Sequence, residues 1–292
     1  MQLGIGLPNT MALETDRRLM LDWARLADEA GFHTLATIDK PAYDSWDPLV
    51  TLAGVAGVTE RARLATTILQ LPNRNETLVA KQAAVVDRLS GGRLDLGVAQ
   101  GGGGADYEVF DAPTKGRSER LERQVSRIRE VWERARASDR DRGVTGPPPL
   151  QDPCPVWVGA GQPKAIERAV RVGDGFIFGT RGAAAMAELV PWVRELGAAE
   201  GKPDFPIAGL AYAALGDDPA AALEEGTHHA VRYYGQLYRE PHELIHHGPA
   251  DKLAEEIAEY AGAGLDLLVV FPLIPRLDQV EQLAESALPH YP

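Results

Sequence analysis

The chain has 292 residues, 45 % of them hydrophobic, a length that suits two ordinary domains or one large α/β barrel. Its formal net charge of −12, mixed along the chain, disfavours nucleic acid and anionic membrane surfaces as partners, because both select clustered Lys and Arg. The single cysteine, Cys154, excludes an intrachain disulfide and a thiolate zinc cluster. The opening MQLGIGLP lacks signal-peptide features and no apolar run of about 18 residues occurs, so a reducing, cytoplasmic setting is expected.

Residues 3–7 form a short apolar run that ends at Pro8, the first predicted strand. Thr15 is placed to cap a helix with Asp16 in its first turn. Leu19, Met20, Trp23, Leu26, Ala27 and Ala30 then recur at helical spacing until Gly31. Residues 34–38 read as a second strand, 48–58 as a helix and 64–69 as a third strand. Asn75 can cap a helix whose Val79, Gln82, Ala83, Val86 and Leu89 share a face, and 94–99 is the fourth strand. A long charged helix over 118–137 leads into a loop over 146–155 that holds five prolines. Residues 156–158, 175–178 and 207–215 supply strands five to seven. The segment 251–263 predicts a helix with Leu253, Ile257, Tyr260 and Ala261 inward, stopped by Gly264, and 265–271 is the eighth strand.

Eight strands separated by helices imply parallel pairing, since each parallel crossover needs a helix. Near-continuous apolar strands fit a sheet covered on both faces. A closed (β/α)₈ TIM barrel satisfies both conditions, as one domain over 1–292 with the Pro-rich stretch as an insertion; an open doubly wound sheet is the alternative.

In such a barrel, chemistry sits at the C-terminal strand ends. Those positions hold Asp39 and Lys40 after strand two; Gln100, the glycines from Gly101 to Gly104, and Glu108 after strand four. Gly159, Ala160, Gly161 and Gln162 follow strand five, and Gly179, Thr180 and Arg181 follow strand six. Glycine lets backbone N–H groups approach a ligand, and two such loops on adjacent strands can share one phosphate. The plainer reading is that they only turn tightly. Asp39, Lys40 and Glu108 are the ionisable candidates for proton transfer, against a rim salt bridge of Lys40 with Asp39 or Asp44. Trp46 and Tyr107 suit either stacking on a planar ring or packing a loop. The pairs His228-His229 and His246-His247 have no metal-ligand spacing and read as surface residues, so no metal site is expected. A nucleophile elbow, a P-loop and a dinucleotide fingerprint are all missing from the sequence.

Several segments together resemble the bacterial luciferase-like superfamily. Val79-Ala80-Lys81-Gln82, then Asp87 through Arg93 and Leu94-Asp95-Leu96-Gly97-Val98, are similar to its central signature. Pro155-Val156-Trp157-Val158-Gly159 and Gly173-Asp174-Gly175-Phe176 are similar to its second signature; Gly4 to Pro8, Ala27 to Phe32 and Thr59 to Leu64 also fit. The resemblance implies a barrel with an extra insertion that binds reduced flavin mononucleotide (FMN) or the deazaflavin coenzyme F-420. Such enzymes oxidise a small substrate with molecular oxygen or transfer hydride; a flavin-binding barrel without turnover is the alternative. It further implies a non-prolyl cis peptide at Thr67-Ile68 beneath the cofactor ring, a phosphate near Gly161-Gln162 and Gly179-Thr180, and a homodimer formed through helices beside the second and third strands. Glu108 matches an acidic position of the family. Many relatives carry Asp-His where this chain has Asp39-Lys40. The expectation drawn from that change is a cation at Lys40 directed toward the substrate side of the ring.

Overall fold

The computed structural model describes residues 1–11, 14–138, 143–235, 237 and 239–291. The first half runs β1 (Gln2–Gly6), α1 (Arg17–Ala30), β2 (Thr34–Thr37), α2 (Pro48–Ala56), β3 (Arg63–Thr66), β4 (Leu69–Gln70), α3 (Glu76–Leu89), β5 (Leu94–Ala99), α4 (Ala105–Glu108) and α5 (Arg117–Ala137). The second runs β6 (Val156–Gly159), α6 (Pro163–Val172), β7 (Gly175–Thr180), α7 (Ala183–Ala199), β8 (Ile207–Leu215), α8 (Pro219–Tyr234), α9 (Pro241–Leu244), β9 (Ile245–Gly248), α10 (Ala250–Gly262), β10 (Leu267–Pro272) and α11 (Asp278–Ala287).

The strands pair in the order β10-β1-β2-β3-β5-β6-β7-β8, and β8 pairs with β10 to close the barrel. Every pairing is parallel, as the alternation of strands and helices predicts. The short β4 extends the path of β3 along β5. One apolar layer lies between barrel and helices, around Trp23, Leu52, Val125 and Ile257. A second fills the barrel, with Ala36, Ala65, Ile177, Tyr212, Val269 and Phe271. Small residues make room for large ones here: a Cβ at Gly6 would lie 2.0 Å from the Phe271 ring, so only glycine fits.

Local chemistry sets the helix ends. Asp16 caps α1 by accepting from Leu19 N at 2.7 Å, while Thr15, the expected cap, instead donates to the Pro8 carbonyl. Asn75 caps α3, accepting from Leu78 N at 2.9 Å. The sequence signatures have structural roles at the N-terminal face. Asp87 is fully buried and accepts from the backbone of Leu150 and Gln151, which pins the Pro-rich loop there. Arg63 holds Asp95 through two bonds of 2.5 and 2.6 Å, and Asp174 accepts from Val156 N and Arg129.

A larger insertion than the Pro-rich loop lies between β8 and α10. It contains α8, α9 and β9, and β9 pairs with the end of β8. The strand β9 contains His246 and His247, so these are not the surface pair expected from sequence: both are half-buried, and His229 on α8 is buried. Gly226 of α8 packs against Ala214, while at its other end Arg232 pairs with Glu14 and Gly235 abuts Tyr43. The helix therefore crosses from β8 to the loops after β1 and β2 and covers that half of the mouth. No helix among the described residues is long and apolar enough to cross a membrane.

Candidate active site

The open half of the mouth holds a cavity of about 480 Å³, a size typical of small-molecule sites. Its walls come from the C-terminal ends of β3, β5, β6 and β7. Thr67 and Ile68, Gln100 and Gly101, Gly159, Ala160 and Gly161, and Gly179 and Thr180 all line it. The floor is apolar, formed by Ile68, Ala99, Val158, Ile177 and Leu210, while Leu121 of α5 closes one side. The Thr67–Ile68 peptide is cis. Thr67 N donates to the Thr37 carbonyl at 2.7 Å, and its hydroxyl donates to the same oxygen at 3.3 Å. A Cβ at position 159 would meet the Ile68 side chain at 3.1 Å, so Gly159 keeps the floor open beside Ile68.

Among the described residues, three arginines reach the cavity: Arg168 from α6, Arg181 after β7 and Arg239 between α8 and α9. Arg181 donates to the Gly161 carbonyl at 2.7 Å, which joins the two glycine loops. The buried Nε of Arg168 lies 3.6 Å from the Glu122 carboxylate, an ion pair too long to be a hydrogen bond. Sequence reasoning named the charge of Arg181 and missed Arg168 and Arg239. Nothing in the local sequence separates Arg168 from the ordinary charged face of an amphipathic helix.

The remaining sequence candidates lie outside the cavity wall. Lys40 does not line the cavity: its amine donates to the buried Asp106 carboxylate at 2.9 Å and lies 4.6 Å from the Tyr43 ring centroid. Asp106 also accepts from Gln70 Nε2 at 3.0 Å and from Ala42 N at 3.2 Å, so the partner is neither Asp39 nor Asp44. Asp39 is buried, 2.8 Å from Arg74 and accepting from Gln70 N at 2.8 Å; burial pushes its carboxyl above the ordinary value against the pull of Arg74. Glu108 is exposed on α4, and Gln162 is exposed at the start of α6, where its side chain makes no cap. Tyr107 and Trp46 both pack loops. The Tyr107 hydroxyl donates to the Gln100 carbonyl, and Trp46 borders a groove between α1 and α2.

With the barrel and this mouth defined, the sequence matches the luciferase-like monooxygenase family over residues 1–267. The chain belongs to that family. Over 282 residues it is 29 % identical to a Mycobacterium tuberculosis protein provisionally named a coenzyme F-420-dependent oxidoreductase, covering 80 % of this chain and 78 % of that one. It is 30 % identical over 167 residues to the oxygenase component of the flavin-dependent trigonelline monooxygenase of Acinetobacter baylyi, covering 53 % of this chain and 46 % of that protein. In fold it is similar to an F-420-dependent secondary alcohol dehydrogenase, with a TM-score of 0.82 at 18 % identity and 98 % coverage of both chains. The protein is thus an enzyme of an oxidoreductase family.

Proposed function

We propose that this enzyme uses FMN or coenzyme F-420, in reduced form, to oxidise or reduce a small organic substrate at the cavity on the barrel mouth. The observation that carries this reading is the cavity itself, an apolar floor bordered by two joined glycine loops and three arginines. The residues present fit a planar ring with a phosphate. The ring would lie on Ile68, Val158 and Ile177 beside the Thr67–Ile68 peptide, flanked by Gln100 and Gly101. The phosphate would meet Gly161, Thr180 and Arg181, with the Arg168 guanidinium as a further positive charge on the same wall.

When bound, the cofactor supplies the redox chemistry, either hydride transfer or activation of molecular oxygen. The chain's own part is binding, orientation and exclusion of water. Among the described residues that line the cavity, the ionisable side chains are arginines, which stay charged and exchange no proton near neutrality. We therefore assign Lys40 to anchoring rather than proton transfer: with Asp106 it ties the loop after β2 to α4. Glu108, exposed on α4, is left without a catalytic role in this reading. A substrate would enter from the open side, opposite α8.

The same proposal includes a homodimer. Val50 on α2 and Leu78, Val85 and Leu89 on α3 are exposed; the last three share one helix face, so Leu89 does not join the buried Val79, Ala83 and Val86 as its spacing predicts. A second copy of the chain covering these residues would remove them from water; a monomeric mass at working concentration would count against it. The enzyme works in this reading in the cytoplasm, and burial pushes its one thiol, Cys154, well above the ordinary value, so it stays an inert thiol. The test of the function is titration calorimetry of the purified protein with FMN and with F-420. Micromolar or tighter binding of at least one is expected, and detectable binding of neither overturns the reading.

A further inference from the structure

We infer that His246 and Tyr260 form a proton-operated clamp on the loop carrying Thr180 and Arg181, and so set the affinity of the cavity for an anionic ligand. The inference rests on the reading above in placing an anion at that loop. Its structural part stands on the geometry of the insertion.

Strand β9 lies beside the end of β8, with Tyr212 opposite Ile245 and Leu215 opposite Gly248. This places His246 against α10. Its Nδ1 lies 2.5 Å from the Glu256 carboxylate, and its Nε2 lies 2.9 Å from the Tyr260 hydroxyl. The same hydroxyl lies 3.1 Å from the backbone carbonyl of Arg181. The Arg181 side chain continues the line to the Gly161 carbonyl. One chain of contacts therefore joins α10, β9 and both glycine loops.

A tyrosine hydroxyl has one proton, and a neutral imidazole has one N–H. Glu256 is held below its ordinary value, chiefly by the hydrogen bond from His246, so it is a carboxylate and accepts from Nδ1–H. Burial pushes Tyr260 up to about 12, so its hydroxyl keeps its proton through the neutral range. With His246 doubly protonated, Nε2–H donates to the Tyr260 oxygen, and the hydroxyl proton is free for the Arg181 carbonyl. With His246 neutral, Nε2 is a bare acceptor that competes for that proton, and the Arg181 carbonyl loses its donor.

Other charged and titratable groups among the described residues border the pair. Lys252 lies 3.6 Å from the other Glu256 oxygen, and Glu259 is a neighbouring charge on α10. Arg239, Glu243 and Arg181 border the small pocket that His246 and Tyr260 share with Thr180. Arg181 is already committed to Gly161, so the hydroxyl of Tyr260 is the adjustable contact. Protonation of His246 then favours the fixed loop and the anion, and by linkage the anion favours protonated His246. Affinity falls as pH rises through the His246 transition.

The experiment follows two nuclei in the unliganded protein by NMR across pH: the ring nitrogens of His246 and the amide of Gly182, which shares its peptide group with the Arg181 carbonyl. A common midpoint in the wild type is expected. Tyr260→Phe, which removes one oxygen, should abolish the Gly182 transition while His246 still titrates, and His246→Gln should abolish both. A Gly182 amide that ignores the His246 midpoint, or follows it unchanged in Tyr260→Phe, overturns the clamp. In parallel, FMN and F-420 are titrated below and above that midpoint. Because the phosphate monoester of FMN itself titrates near about pH 6, wild type and Tyr260→Phe are compared at each pH. The wild type should lose about 2- to 10-fold more affinity than the variant, the worth of one hydrogen bond. Equal losses overturn the link to affinity. Failure of both ligands to bind at any pH overturns the proposed function, and the NMR readout is independent of it.

Discussion

The guanidinium of Arg181 donates to the Gly161 carbonyl at 2.7 Å, so two loops 20 residues apart in sequence form one wall of the cavity. A Cβ at position 161 would lie 3.4 Å from the Arg181 Nη2. Gly161→Asp therefore sets a carboxylate against this arginine, in competition with a ligand phosphate. Arg181→Met removes the tie and the charge together. Each variant should bind FMN or F-420 about 10- to 100-fold more weakly, the worth of a charge-assisted hydrogen bond. Calorimetric titration checks this, and unchanged affinity in a folded variant would place the phosphate elsewhere.

Gly159→Val tests the apolar floor. The added side chain starts 3.1 Å from Ile68 Cγ2 and 3.4 Å from the Ala99 methyl, so it fills space between the ends of β3, β5 and β6. Affinity for either cofactor should drop at least about 10-fold, and overpacking should destabilise the fold by about 1–3 kcal/mol. Urea denaturation separates the two effects. Wild-type affinity in Gly159→Val would mean that the ring lies away from this floor.

Lys40→Met should act on stability before it acts on binding. Among the described residues it leaves the buried Asp106 carboxylate with neutral donors, Gln70 and Ala42 N. We expect a loss of up to about 3 kcal/mol in chemical denaturation at neutral pH. Lys40→Arg keeps the charge and should recover part of it. A stable Lys40→Met protein with strongly weakened cofactor binding would restore the direct role expected from the sequence.

Asp28 governs part of the response to acid. It is buried in α1 and accepts from Ala62 N at 2.7 Å and from Glu60 N and Arg61 N at 3.0 Å each. Burial by itself would raise this carboxyl, but the three N–H groups and the Arg61 charge outweigh it and hold it below the ordinary value. A folded-state value below the unfolded one stabilises the protein above the unfolded carboxylate range, near about pH 4, and the contribution is lost as pH falls through the folded value. Asp28→Asn should lose about 1–3 kcal/mol at pH near 7, with the gap to wild type narrowing toward about pH 3. A gap that does not narrow would show that the carboxylate charge is not what stabilises this turn.

The strands that make the barrel were legible because each is a nearly unbroken apolar run followed by turn chemistry. Runs such as 94–99 and 207–215 have no competing helical period, and seven of the barrel strands fall within about two residues of the predicted runs, while the third, predicted over 64–69, ends at Thr66 and resumes as β4. The exception is β9, whose Ile-His-His-Gly carries two polar side chains and no alternation of its own. It becomes a strand because the end of β8 offers it unpaired backbone groups. The helix caps show the limit at single-residue scale. Thr15 and Asp16 are both good caps, and the choice falls to Asp16 because Thr15 is taken by Pro8.

By itself, then, the sequence determined the barrel, the glycine loops at its C-terminal mouth and the family, since periodicity, turn residues and signature order are local properties of the chain. Only the tertiary structure decided which charges serve the cavity. Lys40 stands next to Asp39 in sequence but pairs with Asp106, whose side chain is carried to it by a different strand-end loop. Arg168, Arg181 and Arg239 converge on one cavity from three separate elements, and His246 meets Tyr260 only because β9 docks on β8. Ionic and hydrogen-bond partners are chosen by distance and burial in three dimensions, which no spacing along the chain encodes.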